Sequence, residues 1–371
     1  LTTPIIAVLL GTRPEAVKLA PVICALHRAG VPTAVFSTGQ HRDMVTEVLD
    51  EFEIRVDEDL ALMRAGQTLD HVIAAAIAGI GDLLDEYRPR AVVVQGDTSS
   101  ALGSSLAAFH RGVPIGHVEA GLRSGDLRIP FPEEMNRRAI AVMARWHFAP
   151  TATAAANLAA EGVRDGVHVV GNTVVDALRT MMARTGHLPD DLAELASRPF
   201  ILATAHRRES WEGGISEIAR GLAGVLAALP ELSLVFVTHP NPVARAPVEA
   251  RFKGHPRAIV TGPLPHRVFL ELLSKCELAV SDSGGVQEEG PTLGVPVIVT
   301  REVTERPEGV RAGAVRVVGT SADRIRQSAI EILQNPDVSA AMRRAGDAIY
   351  GDGAAASRIV AILSADLGLS S

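Results

Sequence analysis

Residues 116–138 gather Glu119, Asp126, Glu133 and Glu134 with Arg123, Arg128, Arg137 and Arg138 among glycines and prolines, directly after an apolar run. Carboxylates in unequal surroundings can divide proton transfer between them, one ionised as base and one protonated as acid. Residues 113–118 read as a buried strand, so Glu119 stands at a strand's C-terminal end, where open α/β sheets carry their chemistry. Asp97, in GDTSS at 96–100, follows another strand-like run and either caps the helix beginning at Ser99 or joins the same acid set. Glu133 and Glu134 follow Pro132 at a helix start, where acidic residues also favour the dipole. Proton transfer and first-turn charge are both open readings for them.

Other stretches suit anions. GTRPEAVK at 11–18 follows the first apolar run and opens a helix, with Pro14 fitted to its first turn. That brings backbone N–H groups, Arg13 and Lys18 to a helix N-terminus, a place for phosphate. The Walker A ending is missing, and no complete Gly-x-Gly-x-x-Gly fingerprint occurs. Gln40 and His41 lie in a polar turn that reads as a cap. His206, beside Arg207 and Arg208, has cationic neighbours that suit an anion clamp. His239 falls in a Pro-rich turn and reads as structural on its own. In DSGGVQEE at 282–289, the Ser283, Gly284 and Gly285 turn can offer bare N–H groups at a helix N-terminus as a diphosphate seat. Glu288 or Glu289 could accept from ribose hydroxyls, leaving the other as a solvated helix charge.

The elements that must position these residues alternate. Strand-like runs at 5–10, 33–37, 91–95, 113–118 and 167–170 are separated by helical patterns, and a second series follows at 200–204, 233–238, 258–261, 278–281, 295–300 and 315–318. This is the βαβ rhythm of parallel sheets, twice over. A chain of 371 residues is long for one core. The expected division is an N-terminal domain at 1–172, a hinge at 173–199, a C-terminal domain at 200–352 and a final helix at 353–371 that packs back on the N-terminal domain. The cleft between two such domains is the expected ligand site.

Thirty-six basic against 43 acidic residues give a net charge of −7, with the basic residues dispersed and aromatic content at 4%, which disfavours nucleic-acid partners. The two cysteines, Cys24 and Cys276, sit far apart in apolar runs and read as core residues of a reducing compartment. The apolar run at 4–10 reads as a first strand, not a signal peptide, and no uncharged segment reaches membrane-spanning length, so a soluble cytoplasmic protein is expected. The 12 histidines show no metal-ligand spacing, and a Gly-x-Ser-x-Gly elbow is missing.

Taken together, GTRPEA at 11–16, TGQHR at 38–42, GDT at 96–98, GHVEAGLRSG at 116–125, PEEMNR at 132–137, GNT at 171–173, AHRRE at 205–209, DSGGVQEE at 282–289 and TERPE at 304–308 stand in the order of the non-hydrolysing bacterial UDP-N-acetylglucosamine 2-epimerases, which this chain resembles from residue 5 to about residue 355. The resemblance implies a GT-B architecture of two Rossmann-like doubly wound α/β domains, with the nucleotide sugar in the interdomain cleft, usually in a homodimer. It implies reversible conversion of UDP-GlcNAc to UDP-ManNAc by elimination of UDP to a 2-acetamidoglucal and re-addition, with no cofactor and no metal. Matched motif by motif, Asp97, Glu119, Glu133 and His206 are implied as catalytic. Arg13, Lys18, His206, Ser283, Gly284, Gly285 and Glu289 are implied as holding UDP. Gln40, His41, Arg64, Arg208 and His239 are implied as an adjacent site for UDP-GlcNAc as activator. A hydrolysing epimerase, an epimerase of a modified UDP-sugar and a GT-B glycosyltransferase are the alternatives.

Overall fold

The computed structural model describes residues 6–369, apart from 41, 65, 184–187, 208–210, 212 and 347. The chain forms two compact units, Leu1–Thr180 with Tyr350–Ser371, and Met181–Ile349.

In the first unit, β1 (Ile6–Leu10), β2 (Thr33–Ser37), β3 (Glu58–Asp59), β4 (Ala91–Gln95), β5 (Ile115–Val118), β6 (Trp146–Ala149) and β7 (Val167–Val169) form one sheet in the order β3-β2-β1-β4-β5-β6-β7. Every neighbouring pair is parallel. The crossovers are α1 (Arg13–Arg28), α2 (Arg42–Glu51), α3 (Leu69–Tyr87), α4 (Ser99–His110), α5 (Glu133–Met143) and α6 (Ala152–Ala160). All five residues of β1 are buried, as strands covered by helices on both faces require. Leu9, Phe36, Val92, Val94 and Ile115 meet Ile80, Leu84 and Leu102 in one core. Each such side chain contributes about 1.5–3 kcal/mol on full burial.

Sequence reading did not anticipate β3 and β6. Two acidic residues in β3 carry no apolar signal, and β6 runs on from α5 without a glycine or proline, with His147 interrupting its apolar pattern. Gly121, at φ 91, closes the turn after β5 where any Cβ would stand 2.2 Å from the Ala154 carbonyl oxygen. Asn157 donates to the Gly121 carbonyl at 2.9 Å, so this turn is fastened to α6.

After α7 (Thr173–Met182) and α8 (Asp190–Leu195), the second unit repeats the plan. Its strands are β8 (Phe200–Ala205), β9 (Ser233–Thr238), β10 (Ala258–Thr261), β11 (Leu278–Ser281), β12 (Val297–Val299) and β13 (Val315–Val317), in the order β10-β9-β8-β11-β12-β13, all parallel. They alternate with α9 (Gly214–Ala228), α10 (Pro242–Phe252), α11 (His266–Lys275), α12 (Gly284–Thr292), α13 (Pro307–Ala312), α14 (Ala322–Gln334) and α15 (Pro336–Ala345). Ile201, Phe236, Leu222, Ile298 and Ile325 share its core.

The last helix, α16 (Ala355–Leu367), belongs to the first unit and packs on α1. Asp176 of α7 accepts from the amides of Ala355 at 3.3 Å and Ala356 at 3.0 Å, satisfying donors that a helix start leaves open. Burial raises the Asp176 carboxyl above its ordinary value, and those two amides only partly offset it.

Neither cysteine is in a disulfide, and burial pushes Cys276 up to about 12. Among the described residues no helix is long and apolar enough to cross a membrane.

Strand order reverses between β1 and β4 in one sheet and between β8 and β11 in the other. The turns leaving these strands are where doubly wound sheets receive ligands. They are the turns that carry Arg13 and Asp97 in the first unit, and His206 and Ser283 in the second.

Candidate active site

In the first unit, the turn after β1 enters α1 through Glu15. Its buried carboxylate accepts from the amides of Gly11 at 2.8 Å and Thr12 at 2.6 Å, and from the Thr98 hydroxyl at 2.6 Å. One side chain therefore ties the β1 turn to the β4 turn. Burial raises the Glu15 carboxyl above its ordinary value, and its hydrogen bonds to Thr98, Thr12 and Gly11 pull the other way. Arg13 opens α1 half-buried, and its guanidinium has no ion pair among the described residues. A cation at a helix N-terminus lies against the dipole and gains from an added anion.

Glu119 follows β5 with φ 66, a left-handed backbone that a non-glycine residue adopts at a cost of about 1–3 kcal/mol. Its Oε1 receives Lys18 Nζ in a buried ion pair, and its Oε2 receives Gln95 Nε2 from the end of β4. Lys18 is thus committed to a carboxylate of its own unit, which the sequence did not reveal.

Asp97 accepts from Arg137 Nε at 2.9 Å and also from Nη2, while Asn136 Nδ2 donates to the Asp97 carbonyl at 2.8 Å. Asn136 and Arg137 lie one turn beyond Glu133, which is half-buried at the start of α5. The clasp therefore brings Asp97 to the helix that carries Glu133. Glu119 is adjacent too, because its Oε2 is 3.7 Å from where a Cβ on Gly96 would stand.

Glu134 is fully buried, contrary to a solvated first-turn charge. It accepts from the Ser124 amide at 3.0 Å, Arg137 Nη1 at 3.2 Å and Arg138 Nε at 3.0 Å. His117 Nε2 is 2.8 Å from the Gly96 carbonyl, and since a carbonyl only accepts, that nitrogen carries the proton. Burial lowers the ring's pKa to about 4, so it braces the Asp97 turn as a neutral imidazole.

Gln40 Oε1 accepts from Ser100 Oγ at 2.8 Å, and Arg64 is exposed in the loop after β3. His41 and Arg208 lie outside the described residues.

In the second unit, Asp282 is wholly buried at the end of β11 and accepts from the His206 and Arg207 amides and from His206 Nδ1 at 3.0 Å. Ser283 stands at the N-cap position of α12 without a side-chain capping bond, and the first turn begins with Gly284 and Gly285. Arg306 lies against this turn, for a Cβ on Gly284 would stand 2.8 Å from its Nη1. Its Nε donates to Glu288 at 2.6 Å and its Nη1 to Glu305 at 2.5 Å, and Arg301 Nη1 reaches Glu305 at 2.9 Å. Burial opposes charge on Glu305, but Arg306, Arg301 and Arg207 outweigh it and hold the carboxyl well below the usual range.

Neither acid of α12 is solvated, which corrects the sequence expectation. Glu288 is buried against Arg306, and Glu289 is buried with Oε1 3.0 Å from His266 Nε2. His239 is half-buried, with Nδ1 accepting from the Asn241 amide at 3.0 Å and its ring 5.4 Å from that of Trp211. Among the described residues no three His, Cys, Asp or Glu side chains cluster as a metal site.

The sequence profile of the UDP-N-acetylglucosamine 2-epimerase family matches residues 25–364. The chain belongs to this family. It is 43% identical to the UDP-N-acetylglucosamine 2-epimerase of Escherichia coli K12, over 95% of this chain and 96% of the relative. It is also similar to the solved UDP-GlcNAc 2-epimerase of Neisseria meningitidis bound to UDP-GlcNAc, at 38% identity and a TM-score of 0.91, covering 96% of this chain and 99% of that one. A third likeness is to the S. aureus MnaA structure with UDP, at 39% identity and a TM-score of 0.93, covering 98% and 97%. The fold class read from the sequence, two Rossmann-like α/β units of the GT-B type, holds for this family member.

Sequence reasoning left Gln95, Arg137, Asp282 and Arg306 without roles. Gln95 had a local signal, a polar residue ending the run Val92, Val93, Val94, and Arg306 lies in the quoted TERPE motif. Arg137 and Asp282 likewise lie in the quoted motifs PEEMNR and DSGGVQEE, but the partners that give them their roles are 40 and 76 residues away.

The Lys18–Glu119 pair yields a stability test. Lys18→Met leaves Glu119 buried without its cation and should destabilise folding by about 3–5 kcal/mol. Adding Glu119→Gln should recover at least half of that loss in urea unfolding. Strictly additive losses in the double variant would contradict the pairing.

Proposed function

We propose that this chain interconverts UDP-GlcNAc and UDP-ManNAc by inversion at C2, as a cytoplasmic homodimer. The observation that supports the reading is the acid set of the first unit: Asp97 clasped by Arg137, Glu119 held by Gln95, and the start of α5 with Glu133, at one sheet rim. Family membership supplies the substrate class, and the Neisseria relative is described as bound to UDP-GlcNAc.

The C2 proton is weakly acidic, so its removal must coincide with departure of a stabilised leaving group. A carboxylate takes that proton on one face, the C2–H electron pair becomes the C1–C2 double bond, and the C1–O bond breaks with its electrons going to UDP. The product is a 2-acetamidoglucal. In the return step a UDP oxygen attacks C1 and an acid delivers a proton to C2 from the opposite face. Two faces call for more than one positioned acid/base, the part taken by Asp97, Glu119 and Glu133.

The hold on UDP falls to Arg13, His206, the α12 turn at Ser283, Gly284 and Gly285, and Glu289 at the ribose. Arg306 extends that set, since its guanidinium lies beside Gly284. Fixed N–H donors and cations stabilise the diphosphate as negative charge develops on it. Lys18 holds the Glu119 carboxylate in a buried ion pair, and in this reading it also meets the diphosphate. Gln40, His41, Arg64, Arg208 and His239 form an activator site for UDP-GlcNAc in this reading.

Incubation with UDP-GlcNAc in D₂O, followed by proton and phosphorus NMR, should give UDP-ManNAc carrying deuterium at C2 with UDP retained. Free sugar with stoichiometric UDP would mark a hydrolase instead, and an unlabelled, unchanged pool would end the proposal. Starting from UDP-ManNAc, turnover should be slow until a little UDP-GlcNAc is added. Full activity from the first moment would remove the activator site.

A further inference from the structure

Asp282 is used by none of the steps above, yet among the described residues it is the most completely enclosed acid at the rim of the second unit, with no exposed surface. Its carboxylate accepts from the His206 amide at 3.1 Å on Oδ1 and 3.0 Å on Oδ2, and from the Arg207 amide at 2.9 Å on Oδ2. The fourth contact is the His206 ring, with Nδ1 3.0 Å from Oδ1. Burial opposes ionisation of Asp282, but the His206 hydrogen bond and charge, with the two amides, outweigh it and hold the carboxyl below its ordinary value. The group is therefore an acceptor only, and the nitrogen facing it must carry a proton.

We infer that Asp282 is a positioning residue that locks His206 as the Nδ1–H form and leaves Nε2, on the solvent-facing side of a ring 39% exposed, as the nitrogen that meets the UDP diphosphate. The two backbone bonds fix where the histidine stands, and the ring bond fixes which way it faces and which nitrogen is protonated. Neutral His206 then presents a lone pair at Nε2, and the imidazolium presents N–H there, so the ring can take a proton from a phosphate oxygen or return one without turning. A buried carboxylate orienting a functional imidazole is the same physical device that fixes the histidine of a serine-protease triad. This inference rests on the proposed function for the identity of the ligand, but not for the state of the ring.

Nitrogen-15 NMR of the histidine-labelled full chain reads the ring directly, since protonated and bare ring nitrogens have well-separated shifts. In the unsubstituted protein the neutral His206 ring, assigned by its loss in His206→Phe, should keep its proton on Nδ1. A bare Nδ1 there would overturn the inference with no variant of Asp282 needed. Asp282→Asn keeps the shape but turns an amide N–H toward Nδ1, so the proton should move to Nε2. Turnover of UDP-GlcNAc should then fall at least about 10–100-fold, the range seen where an outer-shell partner orients a metal-ligating histidine. In the His206→Phe background the same substitution should change turnover by less than about twofold, because the ring through which Asp282 acts is gone. An equal loss in both backgrounds would overturn the inference. Failure of UDP-GlcNAc to bind or react at all would instead count against the proposed function, while the nitrogen spectrum would still decide the state of the ring.

Discussion

Carboxylates withdrawn from water at the strand-end rims must be held by donors that the chain itself supplies, and this constraint shapes both units. In the first, Glu119 lies between Lys18 and Gln95, Asp97 in the fork of Arg137, Glu134 among Arg137, Arg138 and the Ser124 amide, and Glu15 across the amides and hydroxyl of two turns. In the second, Asp282 gathers His206 and Arg207, while Glu288 and Glu305 share Arg306. Removing one donor leaves a buried charge uncompensated, so these clusters stand or fall as groups. Glu119 shows what the arrangement permits, since it keeps a left-handed backbone that its surroundings must over-determine.

The shifts of these acids differ in sign, and so does their response to pH. Asp282 and Glu305 are held below their ordinary values, so their contribution to stability is full above the usual carboxylate range and is lost as pH falls. Glu15 and Asp176 are raised by burial, so they favour the fold more when protonated and oppose it as pH rises through that range.

Much of this was legible in the sequence. The alternation of apolar runs with helix-length segments gave two parallel sheets, because strands buried on both faces must be continuously apolar. It failed at β3, where two acids pair without any apolar signal, and at β6, where His147 sits inside the strand. The turns bearing Asp97, Glu119, His206 and Ser283 could be read because each follows such a run. Their partners could not: Lys18 and Glu119 are 101 residues apart, and His206 and Asp282 are 76 apart. Glu134 was open to reading as a proton carrier or a first-turn charge and Glu288 as a ribose acceptor or a solvated charge, and neither reading revealed the arginines that bury them. The identity of the sugar nucleotide came from the ordered set of motifs and from the family, not from spacing.

The proposed elimination and re-addition of UDP requires that the C1–O bond break and re-form. UDP-GlcNAc labelled with oxygen-18 in the bridge between C1 and the β-phosphorus tests this most directly. If UDP departs and returns, the β-phosphate rotates while free of the sugar, and phosphorus NMR should show the label scrambling into non-bridging positions of the recovered nucleotide sugar. Epimerised product with the label still wholly in the bridge would mean that the bond never broke, and would contradict elimination and re-addition.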